Sequence, residues 1–451
     1  MNPQVFREYD IRGVVERDFD DQFVVDLGRA WATMLTAAGK RTVTMGRDCR
    51  LSSDRLRDLL IEGVTACGID VIDVGVVPTP LLYFSVVHWK YDGGAMITGS
   101  HNAAEYNGFK LGVGPSTLYG AEIQKLRQLV EARDFARSSR TGTVTPRPVI
   151  PDYHDYLRRQ FKFARRFTVA VDGGNGCGGP VAVPLMVELG LDVKGLYLEM
   201  DGRFPNHHPD PTVEENMRDL IRTVGAEHAE VGIAYDGDAD RIGAVDEHGR
   251  IVWGDELLVV FSRAILADRP GATIIGEVKC SQRLYDDIAR HGGRPIMWKT
   301  GHSLIKSKLK HEHAVLAGEM SGHMFFADRY YGFDDAIYAS FRLLEIIDRA
   351  GTGLAAMLAD LPKTSVTPEI RLDCPDEHKF EVVRRAAEYF RAHHEVIDID
   401  GVRVCFSHGW GLVRASNTQP ALVLRFEADS EPALAEIRGL FENKLKEFGA
   451  I

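Results

Sequence analysis

Asp236, Asp238 and Asp240 alternate in the run Asp236-Gly237-Asp238-Ala239-Asp240-Arg241, between apolar stretches 231–235 and 242–245. Carboxylates packed this closely repel one another unless a cation offsets them. An all-oxygen set in a tight turn suits one hard cation such as Mg2+. A calcium EF-hand loop is the obvious competitor, because Glu247 stands at its twelfth position. It fails because Arg241 occupies the position that needs glycine, and because the flanks are β-like. A second constellation, Thr98-Gly99-Ser100-His101-Asn102, follows a predicted strand at 94–97. A serine after glycine in a tight turn can present its hydroxyl to a cleft, with His101 beside it and Lys110 within reach of the same loop. Taken alone, the segment fits equally well a polar turn that satisfies its own backbone.

Three further segments carry polar chemistry. In Gly318-Glu319-Met320-Ser321-Gly322-His323, Glu319 and Ser321 are separated by one residue and can face the same way, an arrangement suited to vicinal hydroxyls of a sugar. Lys299-Thr300-Gly301-His302-Ser303 adds a second histidine in a glycine-opened turn. Arg414-Ala415-Ser416-Asn417-Thr418-Gln419-Pro420 sets a guanidinium fork before a dense series of donors, as a phosphate would require. Against these stands a rival of another class. Gly174, Gly176 and Gly179 satisfy G-x-G-x-x-G between a strand and a helix, with Asp192 and Glu199 at about the spacing of a ribose contact, as in a nicotinamide-dependent oxidoreductase. No hydride-acceptor or proton-relay set lies beside it, and a tight structural turn is the preferred reading.

The elements that must position these loops alternate. Predicted strands at 41–45, 70–74, 94–97, 167–171 and 272–275 are interleaved with helical stretches at 51–67, 181–189 and 281–290, which argues for α/β units with largely parallel sheets. The turn-rich stretch 138–151 reads as a linker. The last part differs: a helix at 376–394, strands at 401–407, 411–415 and 421–427, and a helix at 431–448, a small α+β unit. Four domains are expected, at 1–147, 148–253, 254–366 and 367–451.

Composition agrees with a globular protein. The chain has 451 residues, 45% hydrophobic and 26% charged, with a formal charge of −11. That charge argues against nonspecific nucleic-acid binding. No apolar run approaches the ~18 residues of a membrane span, and residues 1–10 hold no apolar signal core. Six scattered cysteines, with no C-x-x-C pair, fit a reducing cytoplasm.

Taken together, and with Phe6-Arg7-Glu8-Tyr9-Asp10-Ile11-Arg12-Gly13 at the start, these segments resemble the α-D-phosphohexomutase superfamily, specifically its bacterial phosphomannomutase/phosphoglucomutase group. The resemblance spans essentially the whole chain, in the family's order. It implies an α/β protein of four domains around a central cleft, three of one type and a smaller α+β fourth. It implies an enzyme acting on small phosphosugars, with Mg2+ and a hexose 1,6-bisphosphate as activator and intermediate; the sequence leaves the oligomeric state open and compatible with a monomer. Ser100 would be the phosphoserine and would bind the cation with Asp236, Asp238 and Asp240. Arg12, Lys110, Arg241 and Lys279 match charged positions around the reacting phosphates. Tyr9 and His302 match further ligand contacts, and His302 or His323 is the candidate proton shuttle, with His101 beside the serine. Glu319 and Ser321 resemble the sugar readers, and Arg414, Ser416, Asn417 and Thr418 the anchor for the distal phosphate. The form Met320-Ser321-Gly322-His323 is similar to that of enzymes accepting both mannose and glucose phosphates. Many relatives have proline after the asparagine of the serine loop; here Ala103 follows Asn102, which predicts a looser loop.

Overall fold

The computed structural model describes residues 2–417 and 419–450. Among the described residues, four sheets account for the strands. In the first, Thr42–Arg47, Asp70–Val76 and Gly94–Ile97 run parallel, while Tyr106–Val113 pairs antiparallel with Gly94–Ile97 and Ile11–Val14 with Tyr106–Val113. The second sets Thr168–Asp172, Asp192–Leu196 and Val231–Tyr235 parallel and adds Ile242–Asp246 antiparallel. The third sets Thr273–Glu277, Arg294–Trp298 and Leu316–Gly318 parallel and adds Met324–Phe326 antiparallel. The expected largely parallel sheets are therefore mixed. Each has a parallel body and a tight antiparallel hairpin, because a few residues can return a strand only antiparallel.

That hairpin is the repeat that organises the molecule. In all three units the loop between its two strands carries one of the polar segments: residues 98–105, 236–241 and 319–323. Strands Val231–Tyr235 and Ile242–Asp246 are buried along their whole length. Such strands read as continuous apolar runs because both faces are covered.

Two connections differ from expectation. Within the stretch read as a linker, Val144–Pro146 joins the edge of the first sheet, parallel to Asp70–Val76. Ile150–Gln160 then begins a helix whose Tyr153 and Leu157 enter the shared core. The fourth sheet is wholly antiparallel, built on Gly409–Ala415 and Ala421–Ala428, and includes the short strand Ser365–Val366.

One hydrophobic core runs from helix Thr79–His88 of the first unit through the second and third, joining Phe84, Tyr153, Tyr235, Phe261, Phe326 and Tyr338. The fourth unit has its own core around Phe390, Phe426 and Phe441. It is tied to the third by Arg403, which donates to the carbonyls of Val278 and Cys280, and by Arg425, which pairs with Asp255 at 3.1 Å. Among the described residues no helix is long and apolar enough to cross a membrane.

The glycine-rich turn at 173–179 has a packing role. A Cβ on Gly176 would lie 2.6 Å from the Gly237 carbonyl oxygen, and the Cys177 N–H donates to that oxygen at 3.0 Å. The turn thus buttresses the 236–241 loop, which explains its glycines without a dinucleotide.

Candidate active site

The three hairpin loops meet one another. Arg241 and His323 form an isolated antiparallel bridge, and the Ile242 N–H donates to the Gly322 carbonyl at 3.1 Å. Ser100 has a left-handed backbone (φ +50°) and is buried. Its Oγ donates to Asp236 Oδ2 at 3.1 Å and lies 3.1 Å from His101 Nδ1. Its N–H donates to Thr98 Oγ1 at 2.8 Å.

Asp236, Asp238 and Asp240 are fully buried, and their oxygens lie within 4.8 Å of one another. Burial, with Asp240 and then Asp238 adding to it, pushes the Asp236 carboxyl well above the ordinary carboxylate range. Asp238 Oδ1 is buried without a partner among the described residues, whereas its Oδ2 accepts from Thr79 Oγ1 at 2.5 Å and Thr98 Oγ1 at 3.1 Å. An orphaned carboxylate oxygen amid three buried acids is the donor set of a hard cation, so these residues fit a metal. Lys110 places Nζ 3.0 Å from Asp238 and 2.5 Å from Asp240. Its nearest partners are thus the triad, which holds its ammonium well above the usual range against the opposing effect of burial.

The other predicted residues line the same region. Arg12 donates to Asn102 Oδ1 at 2.8 Å and Asp10 Oδ2 at 2.5 Å, with its Nε buried and unpartnered among the described residues. Arg241 Nε approaches His323 Nε2 at 3.3 Å. His323 spans 2.6 Å from Nδ1 to Glu319 Oε2 and 3.2 Å from Nε2 to Asp240 Oδ1. Burial opposes its charge, but Asp240 and Glu319 prevail and carry it up to about 9. Glu319 is held down to about 2 by His323 and Lys279 in spite of its burial, and its Oε1 accepts the Gly301 N–H at 2.7 Å. Ser321 Oγ sits 3.2 Å from His323 Nδ1.

His302 is the opposite case from His323. Burial first, then Lys306, Lys110 and His323, keep its imidazole well below the ordinary histidine range. Its Nδ1 has no hydrogen-bond partner among the described residues and lies 3.8 Å from Asp334 Oδ2. His101 is likewise held neutral by burial and by Arg241 and Arg12.

The anchor side is bridged by hydrogen bonds. Tyr9 donates to the Thr300 carbonyl at 2.9 Å and accepts from Asn417 Nδ2 at 2.9 Å. Asp400 Oδ2 accepts from Arg414 Nε at 3.0 Å and from the Thr300 N–H at 3.0 Å. Ser416 Oγ accepts the Gln419 N–H at 3.2 Å, and its carbonyl is held by Lys379. Lys279 pairs with Glu369 at 2.9 Å. Thr418 lies outside the described residues.

Sequence reasoning missed Asp334, which faces His302, and Asp48 and Arg50, which pack beneath the serine loop. The stretch Gly46-Arg47-Asp48-Cys49-Arg50 carried no signal beyond its charges.

Three repeated units, each extending one hairpin loop, and a fourth extending a polar turn bring a serine, an acidic triad and a set of charged and hydroxyl groups together. That is the architecture of a phosphohexomutase. Four family descriptions match in order: phosphoglucomutase/phosphomannomutase alpha/beta/alpha domain I over residues 3–137, domain II over 151–249, domain III over 253–365, and the C-terminal domain over 369–444. The chain belongs to the phosphoglucomutase/phosphomannomutase family. It is 46% identical over 445 residues to the phosphomannomutase/phosphoglucomutase of Pseudomonas aeruginosa, covering 98% of this chain and 95% of that one. It is 44% identical over 441 residues to a phosphoglucomutase of Neisseria gonorrhoeae, covering 97% and 96%. A crystal structure of a phosphoglucomutase/phosphomannomutase family protein from Burkholderia thailandensis superposes with a TM-score of 0.92 at 41% identity, covering 100% of this chain and 98% of that one.

Proposed function

We propose that this enzyme interconverts hexose 1-phosphates and hexose 6-phosphates, of glucose, mannose or both, by reversible phosphoryl transfer through Ser100. The observation that carries the reading is Ser100 Oγ set 3.1 Å from Asp236 within a buried acidic triad. The names of the relatives, phosphomannomutase/phosphoglucomutase and phosphoglucomutase, support the substrate class.

In this mechanism phosphoserine 100 gives its phosphoryl group to the free hydroxyl of the bound sugar phosphate. The bond from Ser100 Oγ to phosphorus breaks as a bond from the sugar oxygen forms; the sugar hydroxyl passes its proton to a neutral histidine, and Ser100 Oγ takes up a proton as it leaves. The resulting hexose 1,6-bisphosphate turns end for end, and its other phosphate returns to Ser100. Asp236, Asp238 and Asp240 would hold Mg2+, which when bound offsets charge on the phosphoryl oxygens. His302 and His101, kept neutral, are the groups able to accept a proton. His323, hydrogen-bonded between Glu319 and Asp240, ties the sugar-reading loop to the acidic triad and is a second candidate proton shuttle. Arg414, Asn417, Ser416 and Thr418 anchor the distal phosphate, with Tyr9 and Lys279 beside them, while Arg12 and Arg241 face the transferring one. Glu319 and Ser321 read the sugar hydroxyls, which is equally useful in either orientation of the bisphosphate.

Steady-state kinetics on glucose 1-phosphate, mannose 1-phosphate and N-acetylglucosamine 1-phosphate with Mg2+ test this reading. Turnover of either of the first two is expected. Saturable binding without exchange between positions 1 and 6 would instead describe a sugar-phosphate binding protein, and reduction of NAD would describe the oxidoreductase.

A further inference from the structure

The serine loop lacks the proline that would stiffen it, yet its backbone is held by another device. Arg50 has no exposed side-chain surface. A guanidinium has five N–H donors in a planar fork, and all five of those on Arg50 are used. Nε donates to Asp48 Oδ2 at 3.1 Å; Nη2 donates to the carbonyls of Ser100 at 2.8 Å and Asn102 at 2.6 Å; Nη1 donates to those of Ala103 at 2.5 Å and Tyr106 at 3.0 Å. Four carbonyls within residues 100–106 are thereby tied to one rigid group.

The surroundings are shaped to that group. Asp48 also accepts the N–H groups of Arg50 and Gly99 and the hydroxyl of Ser53, at 3.0, 3.1 and 2.6 Å, which fixes the loop from its other side. A Cβ on Gly99 would stand 2.5 Å from the guanidinium carbon, so glycine there is what admits the arginine. From the second unit, the Phe204 ring packs against the guanidinium at 4.9 Å. A left-handed backbone at a residue such as Ser100 is unfavourable and persists only where the surroundings over-determine it. Here they do.

We propose that Arg50 is a positioning residue for phosphoryl transfer: by engaging the carbonyls of Ser100, Asn102, Ala103 and Tyr106 it holds the left-handed Ser100 backbone that aims Oγ at Asp236. The proposal rests on the reading of Ser100 as the phosphoryl carrier. Arg50 is enclosed with all five donors used within the protein, so its loss acts on the rate of transfer, not on substrate affinity.

The test uses the full-length enzyme with Arg50→Lys, since an ammonium has three donors and no fork, and with Phe204→Leu, which removes only the stacked ring. Hydrogen exchange of residues 98–106, kcat and KM for glucose 1-phosphate, and the phosphate content of Ser100 are read together. A displacement of about 1 Å in a reacting group costs on the order of a hundredfold in rate. Arg50→Lys is therefore expected to lose about that much kcat, with KM within about threefold and faster exchange confined to residues 98–106. Phe204→Leu shifts the same two readouts in the same direction by less. A kcat for Arg50→Lys within threefold of wild type overturns the proposal. So does faster exchange throughout the first unit, which would make Arg50 a general support of the fold. A wild-type Ser100 that carries no exchangeable phosphate removes the serine reading and the proposal with it; that failure is recognised separately, because the exchange data still report whether Arg50 holds the loop.

Discussion

Replacing Tyr9 with phenylalanine removes one oxygen that joins three units of the molecule. That hydroxyl donates to the Thr300 carbonyl and accepts from Asn417 Nδ2, each at 2.9 Å, and the ring is buried at 7% exposure. Thr300 and Asn417 are themselves only half-buried, so water can replace the lost partner at each. The cost is then the ordinary net value of a hydrogen bond, about 0.5–1.5 kcal/mol apiece, or about 1–3 kcal/mol for the pair. All of it falls on the state in which the first, third and fourth units touch. The balance between the arrangement in which these units touch and any in which they part should shift toward the latter by about 5- to 150-fold. Because the reacting groups are untouched, KM for glucose 1-phosphate should rise by up to that factor while kcat at saturation stays within about threefold. Small-angle scattering should report a larger radius of gyration for the substrate-free variant. A tenfold fall in kcat with KM unchanged would refute the reasoning, since it would place Tyr9 at the chemical step.

Lys110 offers a test of the cation site: with Asp238 and Asp240 at 3.0 and 2.5 Å, Lys110→Met leaves buried carboxylates uncompensated, at a cost of about 3–5 kcal/mol without divalent cation. Millimolar Mg2+ should then raise Tm more in the variant than in wild type, and equal increments would contradict a cation site at the triad. Asp335 is a buried carboxyl that accepts from the hydroxyls of Tyr153 and Tyr330, and burial raises it from 3.8 to about 7. The folded state keeps a proton that the unfolded chain releases from about pH 4, so its contribution falls as pH rises from about 4 to 7, by on the order of 4 kcal/mol at about 1.4 kcal/mol per unit. Asp335→Asn should therefore gain Tm relative to wild type between pH 5 and 8, and a difference that does not vary with pH would disprove that cost.

The polar segments were legible because they are local. Three carboxylates within five residues at 236–240, or a serine between glycine and histidine, declare their chemistry without knowledge of the fold. The α/β rhythm was legible for the same reason, since strands such as Val231–Tyr235 are buried on both sides and read as unbroken apolar runs. What required the structure is non-local. The triple repeat lies in where a hairpin loop leaves a sheet, and the loops at 98–105, 236–241 and 319–323 share position but not residues. Residues 144–146 read as linker because a short, exposed edge strand is specified by its neighbour Asp70–Val76 and not by its own pattern. Arg50 was invisible because its partners are backbone carbonyls, which every sequence supplies. The absence of proline at Ala103 predicted a looser loop, yet that carbonyl is one of the four Arg50 holds.

The central claim, that Ser100 carries the transferring phosphoryl group, is tested most directly by intact-mass and phosphorus-label measurement on wild type and Ser100→Ala. Wild type should bear one phosphate at Ser100 that exchanges with labelled glucose 1-phosphate, and the alanine variant should bear none and have almost no turnover. Undiminished turnover by Ser100→Ala, with no phosphate at that position, would contradict it.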